Sequence, residues 1–179
     1  DANIITLPDV ALDPVWLYSD DIFVVDYDTI QEAIDAATAG DTIIVGSGTY
    51  NAASGETFPI EVNKANLTIQ SALGAATTII APTSADQSSF EVTAAGVTIG
   101  GSGTGFTIGS GGRAGIYADV TGGDGITVQG NIFKSYGNGE SRGMWFEKLW
   151  NGALITGNSF TTPRVGTGIM VVNADGATI

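Results

Sequence analysis

Along most of this chain the hydrophobic residues come as short alternating runs set between glycine, asparagine, threonine and serine, and the same run returns at a nearly constant interval. Asn66-Leu67-Thr68-Ile69, Gly96-Val97-Thr98-Ile99, Gly125-Ile126-Thr127-Val128, Gly152-Ala153-Leu154-Ile155 and Gly176-Ala177-Thr178-Ile179 begin 30, 29, 27 and 24 residues apart. A second series keeps step with the first: Pro59-Ile60-Glu61-Val62, Ser89-Phe90-Glu91-Val92, Gly115-Ile116-Tyr117-Ala118, Gly143-Met144-Trp145-Phe146 and Gly168-Ile169-Met170-Val171. Gly105-Phe106-Thr107-Ile108, Gly130-Asn131-Ile132-Phe133 and Gly157-Asn158-Ser159-Phe160 supply a third strand. Three strands in each 24 to 30 residues is the period of a parallel β-helix, whose coils bury their inner faces by stacking on one another. The predicted fold is all-β, a right-handed solenoid of three strands per coil and about five coils over residues 41–179.

Successive strand side chains point to opposite faces. Leu67, Ile69, Val97, Ile99, Ile126 and Val128 therefore point in, leaving Thr68, Thr98 and Thr127 outside. In the second series Ile60, Phe90, Ile116, Met144 and Ile169 point in, while Glu61, Glu91, Tyr117, Trp145 and Met170 form an outward column. Residues 1–27 show no repeat. With Pro8, Pro14 and the apolar clusters Val15-Trp16-Leu17 and Ile22-Phe23-Val24-Val25, they read as an arm with a strand, placed to lie against a neighbour. Over 28–40 the pattern changes to helical spacing, with Ile30, Ala33, Ile34 and Ala37 on one face, Asp28 or Thr29 as N-cap and Gly40 as terminator.

The entry Asp28-Thr29-Ile30-Gln31-Glu32-Ala33-Ile34-Asp35-Ala36-Ala37, followed by Gly40-Asp41-Thr42-Ile43-Ile44-Val45 and Gly48-Thr49-Tyr50, resembles the N-terminal cap and first coil of the pectin-lyase-like superfamily of right-handed parallel β-helices. The coils at 125–133 and 152–160 carry the likeness further, so that it covers residues 28–179. That superfamily holds pectate lyases, other polysaccharide lyases, glycoside hydrolases, phage tailspikes and cell-surface proteins, so the resemblance implies a fold and leaves the activity open. The Gly-, Ala- and Thr-rich composition is most similar to the surface-layer and cell-envelope members.

Composition narrows the function classes. The net charge of −13, from 19 acidic residues against 6 basic ones, argues against nucleic acid and anionic membranes as partners. No apolar run approaches the roughly 20 residues that span a bilayer, so membrane insertion is not expected. There is no cysteine and no histidine, which removes disulfides, thiolate metal sites and imidazole bases. The start at Asp1 suits a mature secreted chain, giving an extracellular, cell-surface location as the expectation.

The chemically richest stretch lies on adjacent coils, with Arg113, Tyr117 and Asp119 on one and Arg142, Trp145 and Glu147 on the next. If Asp119 and Glu147 stack, they form a carboxylate pair of the kind retaining glycosidases use about 5 to 5.5 Å apart, with Tyr117 and Trp145 as flat surfaces for sugar rings. The family resemblance implies a lyase alternative, in which acidic residues bind calcium and Arg113 or Arg142 takes the proton. Against both stands a non-catalytic reading: the charged residues solvate an exposed sheet, and Tyr117, Trp145 and Met170 form a stripe that contacts another subunit. Asn131 and Asn158 fall at equivalent turns and predict a structural asparagine ladder. Asp20, Asp21 and Asp26 are candidate calcium ligands, no other cofactor being expected, and Asn66 opens the one N-glycosylation sequon.

The last run, Gly176-Ala177-Thr178-Ile179, starts a coil, and an uncovered β-helix end is a template for further strands. Either the sequence continues as a longer solenoid or this end stacks on another copy head to tail. The function expected first is thus a secreted structural protein that polymerises into a surface layer, sheath or filament. The alternative is an extracellular β-helix that binds or cleaves a polysaccharide.

Overall fold

The computed structural model describes residues 15–19, 22–83, 87–110, 112–135, 142–161 and 166–179. Two strands open it, β1 (Val15–Ser19) and β2 (Ile22–Tyr27), followed by the helix α1 (Ile30–Ala36). The coils then run β3 (Thr42–Val45), β4 (Gly48–Tyr50), β5 (Ile60–Val62); β6 (Thr68–Ser71), β7 (Thr78–Ile80), β8 (Phe90–Val92); β9 (Thr98–Gly100), β10 (Thr107–Ser110), β11 (Ala114–Ala118). They continue as β12 (Thr127–Gln129), β13 (Ile132–Ser135), β14 (Arg142–Phe146); β15 (Leu154–Thr156), β16 (Ser159–Thr161), β17 (Thr167–Val171). Each coil gives one strand to each of three parallel sheets, and the five rungs make a solenoid of about four turns.

Register carries the inner residues into columns. Ile43, Ile69, Ile99, Val128 and Ile155 stack in the first sheet, and Ile60, Phe90, Ile116, Met144 and Ile169 in the third. In the second sheet the column is Tyr50, Ile80, Ile108, Phe133 and Phe160, closing on a stacked ring pair 5.1 Å apart. Except for Ile169 and Phe160 on the last rung, all of these are buried, each contributing roughly 1.5–3 kcal/mol where a large apolar side chain is fully withdrawn from water. Thr68, Thr98 and Thr127 lie outside as alternation predicts.

The Gly or Asn that heads each first-sheet run has a conformational cause. Asn66, Gly96, Gly125, Gly152 and Gly176 all sit at one corner of the coil with φ of 58°, 71°, 63°, 81° and 69°. That left-handed turn excludes most side chains, so the corner writes itself into the sequence as a repeat.

The N-terminal region differs from expectation in two respects. The arm contributes two strands rather than one, and β1 pairs antiparallel with both β2 and β3, so its backbone closes the first sheet of its own chain. The side chains of Trp16 and Phe23 lie outside the described residues. The helix spans seven residues and is N-capped by Thr29, whose hydroxyl accepts from the Glu32 amide at 3.1 Å. It ends at Ala37 in extended backbone, before Gly40, so Gly40 is not its terminator.

Glu56, which no local pattern marks, completes the cap. Its carboxylate, 3% exposed, accepts from the amides of Ile30 at 2.7 Å and Gln31 at 3.3 Å, supplying partners to orphan donors of the first helical turn. Burial pushes its pKa up, against the pull of those backbone bonds. A raised value means that Glu56 favours the fold most at low pH and that its contribution falls as pH rises through its folded pKa. Glu56→Ala is expected to cost about 1–2 kcal/mol in urea denaturation, the range for a lost helix cap.

Candidate functional site

The outer face of the third sheet is where the structure brings the candidate residues together. Register stacks Glu61, Glu91, Tyr117, Trp145 and Met170 in one outward column. Outward does not mean exposed. Tyr117 is only 6% exposed, because the Arg113 guanidinium lies 3.8 Å above its ring and Trp145 meets it edge-on, 5.3 Å between centroids at 73°. The expectation of a flat Tyr117 surface open to sugar rings is corrected accordingly. Trp145 and Met170 remain half-buried.

The polar groups engage one another. The Tyr117 hydroxyl donates to Glu147 Oε1 at 2.6 Å, and Arg113 Nη1 stands 3.6 Å from Glu91 Oε2. Arg142 lies 4.8 Å from the Trp145 ring centroid, Arg113 reaches the same ring at 5.2 Å, and Lys148 covers Trp150 at 3.8 Å. Cation–π contacts of this kind hold the cationic groups where a stacking ligand would otherwise sit. Asp119 and Glu147 occupy successive rungs but serve different groups: Asp119 Oδ1 accepts the Gly122 amide at 2.7 Å in its own turn, while Glu147 is drawn onto Tyr117.

Burial first, and the Glu147 acceptor second, push the Tyr117 hydroxyl up to about 12 from 10. The unfolded chain then releases this proton before the folded one does, so stability should fall as pH rises between about 10 and 12. Glu147→Gln is expected to shift the alkaline tyrosinate absorbance transition of Tyr117 downward. An unmoved transition would mean that the contact is not holding the proton.

The other candidates lie elsewhere. Asn131 and Asn158 stack at the corner leading into the second sheet. Asn131 accepts from Phe106 N at 2.9 Å and donates to Ile99 O and Gln129 O, each at 3.0 Å. One rung on, Asn158 accepts from Asn131 N at 3.0 Å and donates to Val128 O at 2.7 Å. Gly176 is exposed at the left-handed corner, Ala177 is half-buried, and Ile179 is 65% exposed. Thr178 bridges Leu154 in parallel and begins another rung.

Asp26 lines an open groove of about 510 Å³ beside α1 with Tyr27, Asp28, Glu32, Asp35 and Ala36. Asp20 and Asp21 lie outside the described residues, among which no three His, Cys, Asp or Glu side chains are arranged to hold a metal ion. No helix among the described residues is long and apolar enough to cross a membrane. Asn66, the sequon residue, is exposed at its turn.

A solenoid of three parallel sheets, five rungs high behind a short capping helix, is also what the family comparison returns: residues 25–178 match the model described as protein of unknown function (DUF1565), a right-handed β-helix family. The chain belongs to the DUF1565 family. The match begins within β2 and takes in α1, every coil and all the residues of the third-sheet face. Searches of curated proteins and of solved structures return no match to this DUF1565 chain.

Sequence reasoning found the column of this DUF1565 face but missed what fills it. Alternation puts Glu91 outward but does not mark its Arg113 partner, and no pattern marks the Lys148–Trp150 contact. Arg113 lies just before β11, four residues ahead of Tyr117, and the two meet because the guanidinium folds back over the ring; no spacing rule for strands marks that contact.

Proposed function

We propose that this chain is a structural β-solenoid of the cell surface that assembles with copies of itself into a layer, sheath or filament, using the outer face of the third sheet as its lateral contact. One observation supports the reading above others. The side chains best suited to chemistry, Arg113, Tyr117, Asp119 and Glu147, are bonded within the protein, while Trp145 and Met170 in the same column are half-buried and Val172, just past β17, is 55% exposed. A face whose Arg113, Tyr117, Asp119 and Glu147 groups already bond within the protein, and which keeps half-buried apolar area at Trp145 and Met170, suits protein contact, since those four groups need no new partner when water leaves. The Trp145 Nε1, buried without a partner among the described residues, is the exception.

Electron microscopy of the purified chain should show ordered assemblies, and Trp145→Ala should dissolve them. A monodisperse monomer at every concentration would refute the proposal.

A second reading rests on a specific feature: Arg113, Arg142 and Lys148, three of the six basic residues, all lie over aromatic rings on or beside this sheet. That suits an acidic polysaccharide, bound or cleaved. Screening uronate-rich glycans with and without calcium tests it. Turnover lost in the Asp119→Asn, Glu147→Gln double variant would favour an enzyme, and binding lost in Trp145→Ala without turnover would favour a binding module.

A further inference from the structure

In the three-residue strand β5 the backbone groups of Ile60 and Val62 face β8: Ile60 N donates to Ser89 O at 2.9 Å, and Val62 O accepts from Thr93 N at 3.1 Å. Glu61, between them, turns its N–H and C=O to the opposite edge, where a further strand of the third sheet would lie. No strand is there. Instead α1 packs on β5, and one side chain fills both positions: Gln31 Oε1 accepts from Glu61 N at 2.8 Å, and Gln31 Nε2 donates to Glu61 O at 3.4 Å. Asp35 Oδ1, accepting from the same Nε2 at 2.9 Å, holds the amide in place. A helical glutamine thus reproduces the hydrogen bonding of one strand residue.

The strand this edge fits can be specified. All pairings in the third sheet are parallel, so a strand that continues the solenoid runs the same way as β5. At the other end of the sheet β17 does so, and among the described residues it pairs only with β14. Two ends of one regular sheet match in direction, spacing and twist, and a second copy brings the matching strand.

We infer that α1 is a removable end-stop: Gln31 occupies the hydrogen-bonding slot of an added third-sheet strand, and the β5 edge beneath it is a docking site for the third-sheet strand β17 of a second copy. The site is closed while α1 is seated, which protects the edge from indiscriminate strand addition. Displacing α1 opens it, and the contact formed is heterologous, so it propagates along the axis. This axial step uses the backbone edges of β5 and β17, whereas the lateral contact uses the outward side chains, and it stands whether or not that face associates.

The test measures mass by light scattering for Gln31→Met, which keeps side-chain length and helix propensity but removes both bonds to Glu61. It is run in a Trp145→Ala background, so that lateral association does not contribute. The expected result is a mass that rises at least twofold with concentration, while Trp145→Ala alone stays constant. Equal, constant masses with the helix intact by circular dichroism would overturn the inference.

Should the substitution melt α1, amide exchange in the unaltered chain decides. Glu61 N–H should exchange with the slow opening shared by the Ile30 and Gln31 amides. Exchange at Glu61 a hundredfold faster than theirs would show that the edge is not closed by Gln31, and would equally overturn it.

Discussion

Asn131→Ala is expected to lower the unfolding free energy by roughly 3–5 kcal/mol, because its side chain serves three backbone groups, two of them through buried bonds, at about 1–3 kcal/mol for each buried group left unpaired. Asn131 is 1% exposed, and removing its amide takes an acceptor from the Phe106 N–H and a donor from the carbonyls of Ile99 and Gln129, all at the same corner between the first and second sheets. Asn131→Asp is no remedy, since a carboxylate keeps the acceptor, loses both donors and adds a buried charge. Asn158 performs the same service one rung higher but is only half-buried, so Asn158→Ala should cost about 1 kcal/mol, water replacing part of what is lost. Urea midpoints of the two variants check the ordering. A similar cost for both would mean that burial of the amide is not what sets the penalty.

Gly105→Ala should be destabilising to a similar degree, about 3 kcal/mol or more, through sterics alone. A Cβ at this position would lie 2.0 Å from the Gly130 carbonyl oxygen and 2.5 Å from its carbon, and both belong to backbone that cannot rotate away. Accommodating it means opening the rise between adjacent coils, which breaks ladder bonds such as that from Ile132 N to Phe106 O at 2.8 Å. Gly168→Ala is the control. Its added Cβ would meet nothing closer than Phe160 at 3.6 Å, so a change within about 0.5 kcal/mol is expected. Thermal melts of the two variants side by side give the comparison.

The fold was legible because a solenoid repeats its constraints. A corner that requires left-handed backbone recurs as Asn66, Gly96, Gly125, Gly152 and Gly176, and a strand with one buried face recurs as Val97-Thr98-Ile99 or Ile126-Thr127-Val128. What does not repeat was harder to read. Glu56 reaches α1 from 26 residues away and belongs to no motif. The pairing of β1 with β3 joins an arm to a coil without a shared period. Thr78–Ile80, the second-sheet strand of the second coil, is flanked by Ala and Thr rather than by the Gly-Asn of later coils, so the series began at Phe106 instead.

The third-sheet face was legible only in part. Alternation places Tyr117 outside correctly, and the register to Trp145 and Met170 follows from the spacing. Its burial depends on where the long side chain of Arg113 folds, which pattern does not encode. The same contact changes the chemistry of the face, turning prospective ligand-stacking rings into covered ones.

Lateral association through that face is the central claim, and the absence of cysteine allows it to be tested without background. Met170→Cys puts a single thiol on the proposed contact, and Thr68→Cys puts one on the outer side of the first sheet. Mild oxidation followed by denaturing electrophoresis should give a covalent dimer from Met170→Cys and almost none from Thr68→Cys. Equal yields from both variants, or dimer from Thr68→Cys alone, would contradict the account.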